Sequence, residues 1–253
     1  MTQQEHRTNR GGAARIAGFG VAAALVALAA GAAGWELGHS QAPQRAALPV
    51  LFDAPHYADL INQNGARVSS ARFDGKVQVV TFLFPYCNTF CPVVATHLVG
   101  FENMLAGTPL AGRVDIVAFD VDPAGTGPRQ MRGFLHEYGW NPDNPNWQYL
   151  TGTSAQIRRV VTQGFHVDYQ KVVDSASGGD SPSAALAVAG SDPQAIVANP
   201  LADQAHVDYD ITHEDVMMLV DPRGRVRRIY DQADAVGKMR LLADVRAVLG
   251  AAG

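Results

Sequence analysis

The run Val77-Gln78-Val79-Val80-Thr81-Phe82-Leu83-Phe84 leads without a break into Pro85-Tyr86-Cys87-Asn88-Thr89-Phe90-Cys91-Pro92. The first stretch is β-branched and aromatic and nearly all apolar. That is the pattern of a strand covered on both faces. Pro92 suits the first turn of a helix, because its missing N–H would be unpaired there anyway. Residues 93–105 continue at helical spacing through Val94, Leu98, Phe101 and Leu105, and Gly107, Pro109 and Gly112 stop it. A buried strand delivering two cysteines to the start of a helix therefore sets the frame for the rest of the chain.

The other elements follow in order. Residues 57–73 predict an extended segment ending in a short strand near Arg67–Phe73. Val114–Asp120 predicts a second buried strand, followed by a loop from Asp122 to Pro128 and a helix over 129–138. Asn141–Asn146 is turn-rich. A third helix is expected over 153–162, with Thr153 or Ser154 as its cap, and then a short strand over Phe165–Val173. Residues 174–206 are rich in Ser, Gly, Ala, Asp and Pro without periodicity, which reads as a long insertion. Val216–Val220 is the third core strand expected. Asp221-Pro222-Arg223-Gly224 signals a hairpin turn, Arg225–Tyr230 returns as a strand, and Val236–Leu249 closes as an amphipathic helix. Strands separated by helices need a parallel core, and the final hairpin adds an antiparallel edge. The expected fold class is α/β with a thioredoxin-like domain over 50–253, its working site where the first core strand meets its helix.

The N-terminal part reads differently. Residues 1–15 carry Arg7, Arg10 and Arg15, and the 20 residues from Ile16 to Trp35 carry no charge. As a helix they would span roughly 30 Å, the thickness of a hydrocarbon core. Basic residues before the segment keep that end in the cytoplasm. The expectation is a cytoplasmic N-terminus over 1–15, an N-terminal transmembrane helix over 16–37 and a polar linker over 38–49. The functional domain then lies on the periplasmic, extracytoplasmic side of a bacterial cytoplasmic membrane. A cleaved signal peptide is the alternative, with Ala27-Leu28-Ala29 as a small-residue cleavage site. The net charge is −4 and no basic stripe is present, so a nucleic-acid partner is not expected.

Export places the only two cysteines of the chain, Cys87 and Cys91, in an oxidising compartment. A disulfide across so short a loop gains little chain entropy. The pair therefore reads as a working redox pair rather than a staple. Residues at i and i+4 share a helix face, and a helix N-terminus lowers thiol pKa by favouring the thiolate. Soft thiolates joined by an imidazole suit Cu(I), with zinc also open. His97 lies on the motif's own helix but about 120° round from Cys91 at helical pitch. His206 lies in the insertion, and His6 and His39 flank the uncharged segment. His213 stands just before Val216–Val220, in what reads as a loop approaching the site from the neighbouring strand. A solvent-accessible site would suit the handoff of a metal ion.

Together these residues resemble the SCO/SenC family of membrane-anchored, thioredoxin-like copper proteins. Cys87-Asn88-Thr89-Phe90-Cys91-Pro92 resembles its Cys-x-x-x-Cys-Pro motif, and His213 stands eight residues before Asp221-Pro222-Arg223-Gly224-Arg225, as the family's His does before Asp-Pro-x-Gly-Arg. Val121-Asp122-Pro123, Tyr149-Leu150-Thr151-Gly152-Thr153 and Tyr169-Gln170-Lys171 add to the likeness. The resemblance implies copper bound by Cys87, Cys91 and His213. It also implies a role in delivering copper to, or reducing the cysteines of, the CuA site of a cytochrome c oxidase subunit, with an upstream copper donor or thiol reductant as the other partner. An exported thiol–disulfide oxidoreductase of broader range is the alternative. The chain departs from the family where an acidic residue is usual, since Thr126 holds that position, and Leu83-Phe84-Pro85-Tyr86 replaces the usual Gly and Thr before the first Cys.

Overall fold

The computed structural model describes residues 48–173 and 209–250. In chain order its strands are β1 (Phe52–Asp53), β2 (Leu60–Asn62), β3 (Arg67–Val68), β4 (Val77–Leu83), β5 (Val114–Asp120), β6 (Trp147–Thr151), β7 (Tyr169–Val173), β8 (Tyr209–His213), β9 (Met217–Val220) and β10 (Arg225–Tyr230). Its helices are α1 (Cys91–Leu105), α2 (Pro128–Glu137), α3 (Ser154–Arg158) and α4 (Lys238–Gly250). Eight strands form one sheet in the order β1-β10-β9-β4-β5-β6-β2-β3, and β7 and β8 form a separate two-stranded ribbon.

The centre of the sheet is parallel, as expected. β4 pairs with β5 and β5 with β6 in that sense. β9 then runs antiparallel to β4, with Thr81 opposite Met217. This pairing decides where the site forms. The C-terminal end of β4, which leads to Cys87, lies beside the N-terminal end of β9, which follows His213. Cys87 and His213, 126 residues apart in sequence, meet because two neighbouring strands run in opposite directions.

Burial explains why these strands hold. Every side chain of β5 and β6 is buried. Phe82 and Phe119 stack at 6.1 Å across β4 and β5, and Phe165 packs edge-on or tilted against both, at 5.7 and 5.4 Å. Such aromatic pairs contribute roughly 0.5–1.5 kcal/mol each beyond their buried area. Thr153 caps α3 through a reciprocal pair of bonds with Gln156, as its position predicts.

Several expectations need correcting. Arg67–Phe73 is not one strand, since β3 stops at Val68 and a 3-10 turn covers Ser70–Phe73. The helix expected over 153–162 is α-helical only to Arg158, then widens into a π-type turn over Arg159–Gly164. Gly164 lies where a Cβ would come 2.4 Å from Pro55, so close chain approach accounts for the glycine. β6 was not expected as a strand, and β7 starts four residues later than the sequence suggested. The linker expected over 38–49 ends before Leu48, which is buried in the core. Residues 1–37, most of the linker and the 174–206 insertion lie outside the described residues. Among those described, no helix is long and apolar enough to cross a membrane.

Candidate functional site

β4 ends at Leu83 and the chain turns, with the Cys87 N–H donating to the Phe84 carbonyl at 3.0 Å. The helix begins only at Cys91. Cys87 is therefore outside α1, and the expected one-turn spacing on a helix face is replaced by a turn that folds Cys87 back. The two sulfurs still lie close enough for each to shift the other's ionisation. Both cysteines are thiols, without a disulfide.

His213 reaches this pair from the end of β8. Its Nε2 lies 3.6 Å from the Cys91 Sγ, and its side chain is close enough to Cys87 to lower that thiol's pKa. It stands on a strand of the ribbon rather than in the loop expected from sequence. Its Nδ1 lies 3.2 Å from the Glu214 carbonyl oxygen. A carbonyl only accepts, so Nδ1 is the donor in that bond, and Nε2 is the nitrogen left facing the sulfurs. The Phe90 ring packs edge-on against the imidazole at 4.7 Å. His97 takes no part, for it lies on α1 in the field of Lys238 and Asp234. His6, His39 and His206 lie outside the described residues.

The two thiols differ. The hydrogen bond from Cys91 is the strongest influence on Cys87 and holds it well below the usual thiol range. Burial opposes this, while His213 and Thr89 lower it further. The Thr89 Oγ1 is 3.2 Å from the Cys87 Sγ. Burial drives Cys91 well above the usual range, and the charge on Cys87 adds to it. The helix N-terminus was expected to lower a thiol placed on it, yet Cys91, the first helical residue, moves the other way because it is fully buried. The two thiols are therefore unequal, Cys87 giving up its proton more readily than Cys91.

The site is also less open than the expected accessible loop. Cys91 is 0% exposed, Cys87 4% and His213 9%. Among the described residues, no three His, Cys, Asp or Glu side chains surround a common point as a finished metal cage. The three donors contact one another instead, so an ion entering there would replace bonds they now share. Their chemistry suits a soft ion. Donors each about 2.0–2.3 Å from a shared ion lie 3–4 Å apart, as Cys91 and His213 already do.

Sequence reasoning missed four contributors. Thr89 and Phe90 sit inside the motif, where adjacency alone was a signal. Asp215 adds negative potential at Cys91. Burial and the Asp234 carboxyl beside it push its own carboxyl up to about 7. Tyr209 opens β8 next to the insertion, and its position carried no recognisable pattern.

Residues 54–189 match the family model described as SCO1/SenC. The matched span holds Cys87 and Cys91 and stops before His213. The "SCO1 protein homolog" of Bacillus subtilis (strain 168) is 25% identical over 186 residues, 73% of this chain and 77% of that protein. Bradyrhizobium japonicum ScoI, solved with copper bound, shares the fold at a TM-score of 0.56 and 19% identity, covering 78% of this chain and 99% of that one. BsSco, described as a member of the Sco family of cytochrome c oxidase assembly proteins with a disulfide switch, aligns at a TM-score of 0.55 and 24% identity, covering 79% and 95%.

Proposed function

The chain belongs to the SCO1/SenC family, and on that premise we propose that it takes up copper(I) as cargo on Cys87, Cys91 and His213 and serves the CuA site of cytochrome c oxidase. The observation that carries this reading is the 3.6 Å approach of His213 Nε2 to Cys91 Sγ. An imidazole brought across the fold to a buried thiol pair, its far nitrogen fixed by a carbonyl, is how a metal-binding His is usually oriented. The copper-bound relative and the oxidase-assembly description of another support the choice of metal and partner. The uncharged segment 16–35 supports a single-pass anchor in a bacterial cytoplasmic membrane, with the domain on its outer side and an upstream copper donor or thiol reductant as second partner.

Delivery and reduction use the same residues differently. In delivery, partner thiols displace the protein's ligands one at a time, and Cys87, the more exposed sulfur, is the first exchanged. In reduction, the Cys87 thiolate attacks a partner disulfide and one partner sulfur leaves as thiolate. Cys91 then loses its proton and closes the Cys87–Cys91 disulfide, which releases the second partner thiolate. The asymmetry of the two thiols favours this second reading enough to keep it.

Competition titration of the reduced full-length protein against a Cu(I) chelator tests the site. One tight site is expected in wild type, with affinity falling sharply in Cys87→Ser, Cys91→Ser and His213→Ala. His213→Ala binding as tightly as wild type would remove His213 from the ligand set. Mixing copper-free reduced protein with an oxidised CuA domain separates the roles. Partner thiols appearing in step with the Cys87–Cys91 disulfide mean reduction, and their absence leaves delivery.

A further inference from the structure

The residue that completes the site stands on a ribbon that is not part of the main sheet. Something must hold that ribbon in place. Tyr209, at the opposite end of β8 from His213, donates its hydroxyl to Asp122 Oδ2 at 2.5 Å. Asp122 lies two residues beyond β5, and that loop is tied to the sheet interior. The Asp122 N–H donates to Asp120 Oδ1 at 3.0 Å. The Thr126 hydroxyl lies 2.9 Å from the Asp122 carbonyl oxygen and 2.6 Å from Asp120 Oδ2. Thr151, on β6, donates to the same Oδ2 at 2.9 Å. A continuous chain of bonds thus runs from a fully buried carboxylate to the start of the His213 strand.

Gly125 supplies an independent sign that this contact is built in. A Cβ on it would stand 2.1 Å from the Tyr209 hydroxyl and 2.2 Å from Asp122 Oδ2. Any larger residue would occupy the place where the two groups meet. The Lys171 Nζ sits 3.2 Å above the Tyr209 ring centre, so the facing strand of the ribbon braces the same side chain. Asp122, Lys171 and His213 line one groove, so the bond and the imidazole border the same opening.

We propose that the Tyr209–Asp122 bond is a latch that positions His213 over the cysteines, and that its release swings the ribbon aside to open the buried site for handoff. The inference rests on the copper reading above. Tyr209, Asp122 and Gly125 are positioning residues, acting through His213 without touching the cargo. The latch accounts for a feature the buried site otherwise leaves unexplained, namely how a partner gains access to a fully buried Cys91.

Two substitutions test it in the full-length reduced protein. Tyr209→Phe removes only the hydroxyl, and Gly125→Ala removes no bonding group but fills its space. Both are expected to speed backbone hydrogen exchange at 209–213 in the metal-free protein and to weaken Cu(I) binding about 10-fold or more, as for lost second-shell support. In a His213→Ala background, Tyr209→Phe is expected to cost no further affinity. Unchanged exchange and affinity in both variants would overturn the latch. So would an affinity loss of equal size when His213 is absent, since that marks a general structural effect. A wild-type protein that takes up no Cu(I) sinks the copper reading instead. Exchange then decides the latch alone: faster at 209–213 in both variants upholds it, and unchanged overturns it.

Discussion

Asp221 and Asp120 are both buried carboxylates at strand ends, yet the protein treats them in opposite ways. Asp221 follows β9 and receives Arg225 Nε at 2.9 Å and Arg227 Nη1 at 2.9 Å on one oxygen, with the backbone N–H groups of Arg223 and Arg225 at 2.9 and 3.0 Å on the other. Burial pushes its pKa up, but the bonds from Arg225, Arg227 and the Arg223 N–H outweigh it and hold the carboxyl below its usual range. Asp120 ends β5, next to the site, and its bonded partners are two hydroxyls and one backbone N–H. There burial wins, and the carboxyl rises to about 6 despite those donors. Neutral donors do not offset the loss of hydration, whereas two guanidinium groups do. The difference separates a fixed joint from an adjustable one, and the adjustable one lies under the latch.

The largest effect is expected at the fixed joint. Asp221→Ala leaves the 8%-exposed Arg227 without its countercharge, and breaking a buried pair from one side typically costs about 3–5 kcal/mol. Arg227 also donates to the carbonyls of Leu48 and Pro49, so the N-terminal edge of the domain should loosen with it. Denaturant melts of the variant measure this. A loss below about 1 kcal/mol, the range of an exposed pair, would mean the arginines contribute little and the comparison fails.

The turn that carries the fixed joint was legible in the sequence, but its ion pairs and the adjustable joint were not. Asp221-Pro222-Arg223-Gly224 announces a turn, and only the fold shows its acid meeting Arg225 and Arg227. The β4 strand, the cysteines and His213 were legible for similar reasons, as local runs or motifs. β6 was missed because Trp-Gln-Tyr-Leu-Thr is short and mixes polar with apolar residues. Only the fold shows that Gln148 and Thr151 are buried, with Gln148 accepting from Asn62 and Thr151 bonded to Asp120. The role of Thr126 was hidden for another reason. Sequence showed that it stands where the family usually has an acid. The structure shows its hydroxyl meeting a carboxylate supplied by Asp120, six residues earlier. The Tyr209–Asp122 contact spans 87 positions, and no local pattern encodes it.

The next effect is a pH dependence, and its sign distinguishes the two acids. Asp221 has a depressed folded pKa, so its stabilisation is present above the ordinary carboxyl value near 3.8 and is lost as pH falls further. Asp120 has a raised folded pKa, so its favourable contribution is full below 3.8 and disappears as pH rises through about 6. Asp120→Asn cannot ionise. Relative to wild type it should gain about 2–3 kcal/mol in stability between pH 4 and pH 7, at about 1.36 kcal/mol for each pKa unit. Unfolding curves of both proteins at several pH values test this. A difference that stays flat across the window would show that Asp120 titrates normally.

The smallest effect concerns a single donor, and it separates a hydroxyl partner from a cationic one. Thr151→Val keeps the shape of the side chain but removes the hydroxyl that donates to Asp120 Oδ2. A hydrogen bond to an ionised group contributes about 1.5–3 kcal/mol and one to a neutral group nearer 1 kcal/mol. The cost of the substitution should therefore be larger at pH 7.5, where Asp120 is charged, than at pH 5, where it is protonated. The donor stabilises the anion, so its loss also moves the Asp120 carboxyl further up. At Asp221 the same reasoning predicts no such pH dependence. Arg225→Met removes a donor to an acid already ionised at both pH values, so its cost should be the same at each. Equal costs at pH 5 and pH 7.5 for Thr151→Val would mean that Asp120 keeps one charge state throughout, and the adjustable joint would be as fixed as the other.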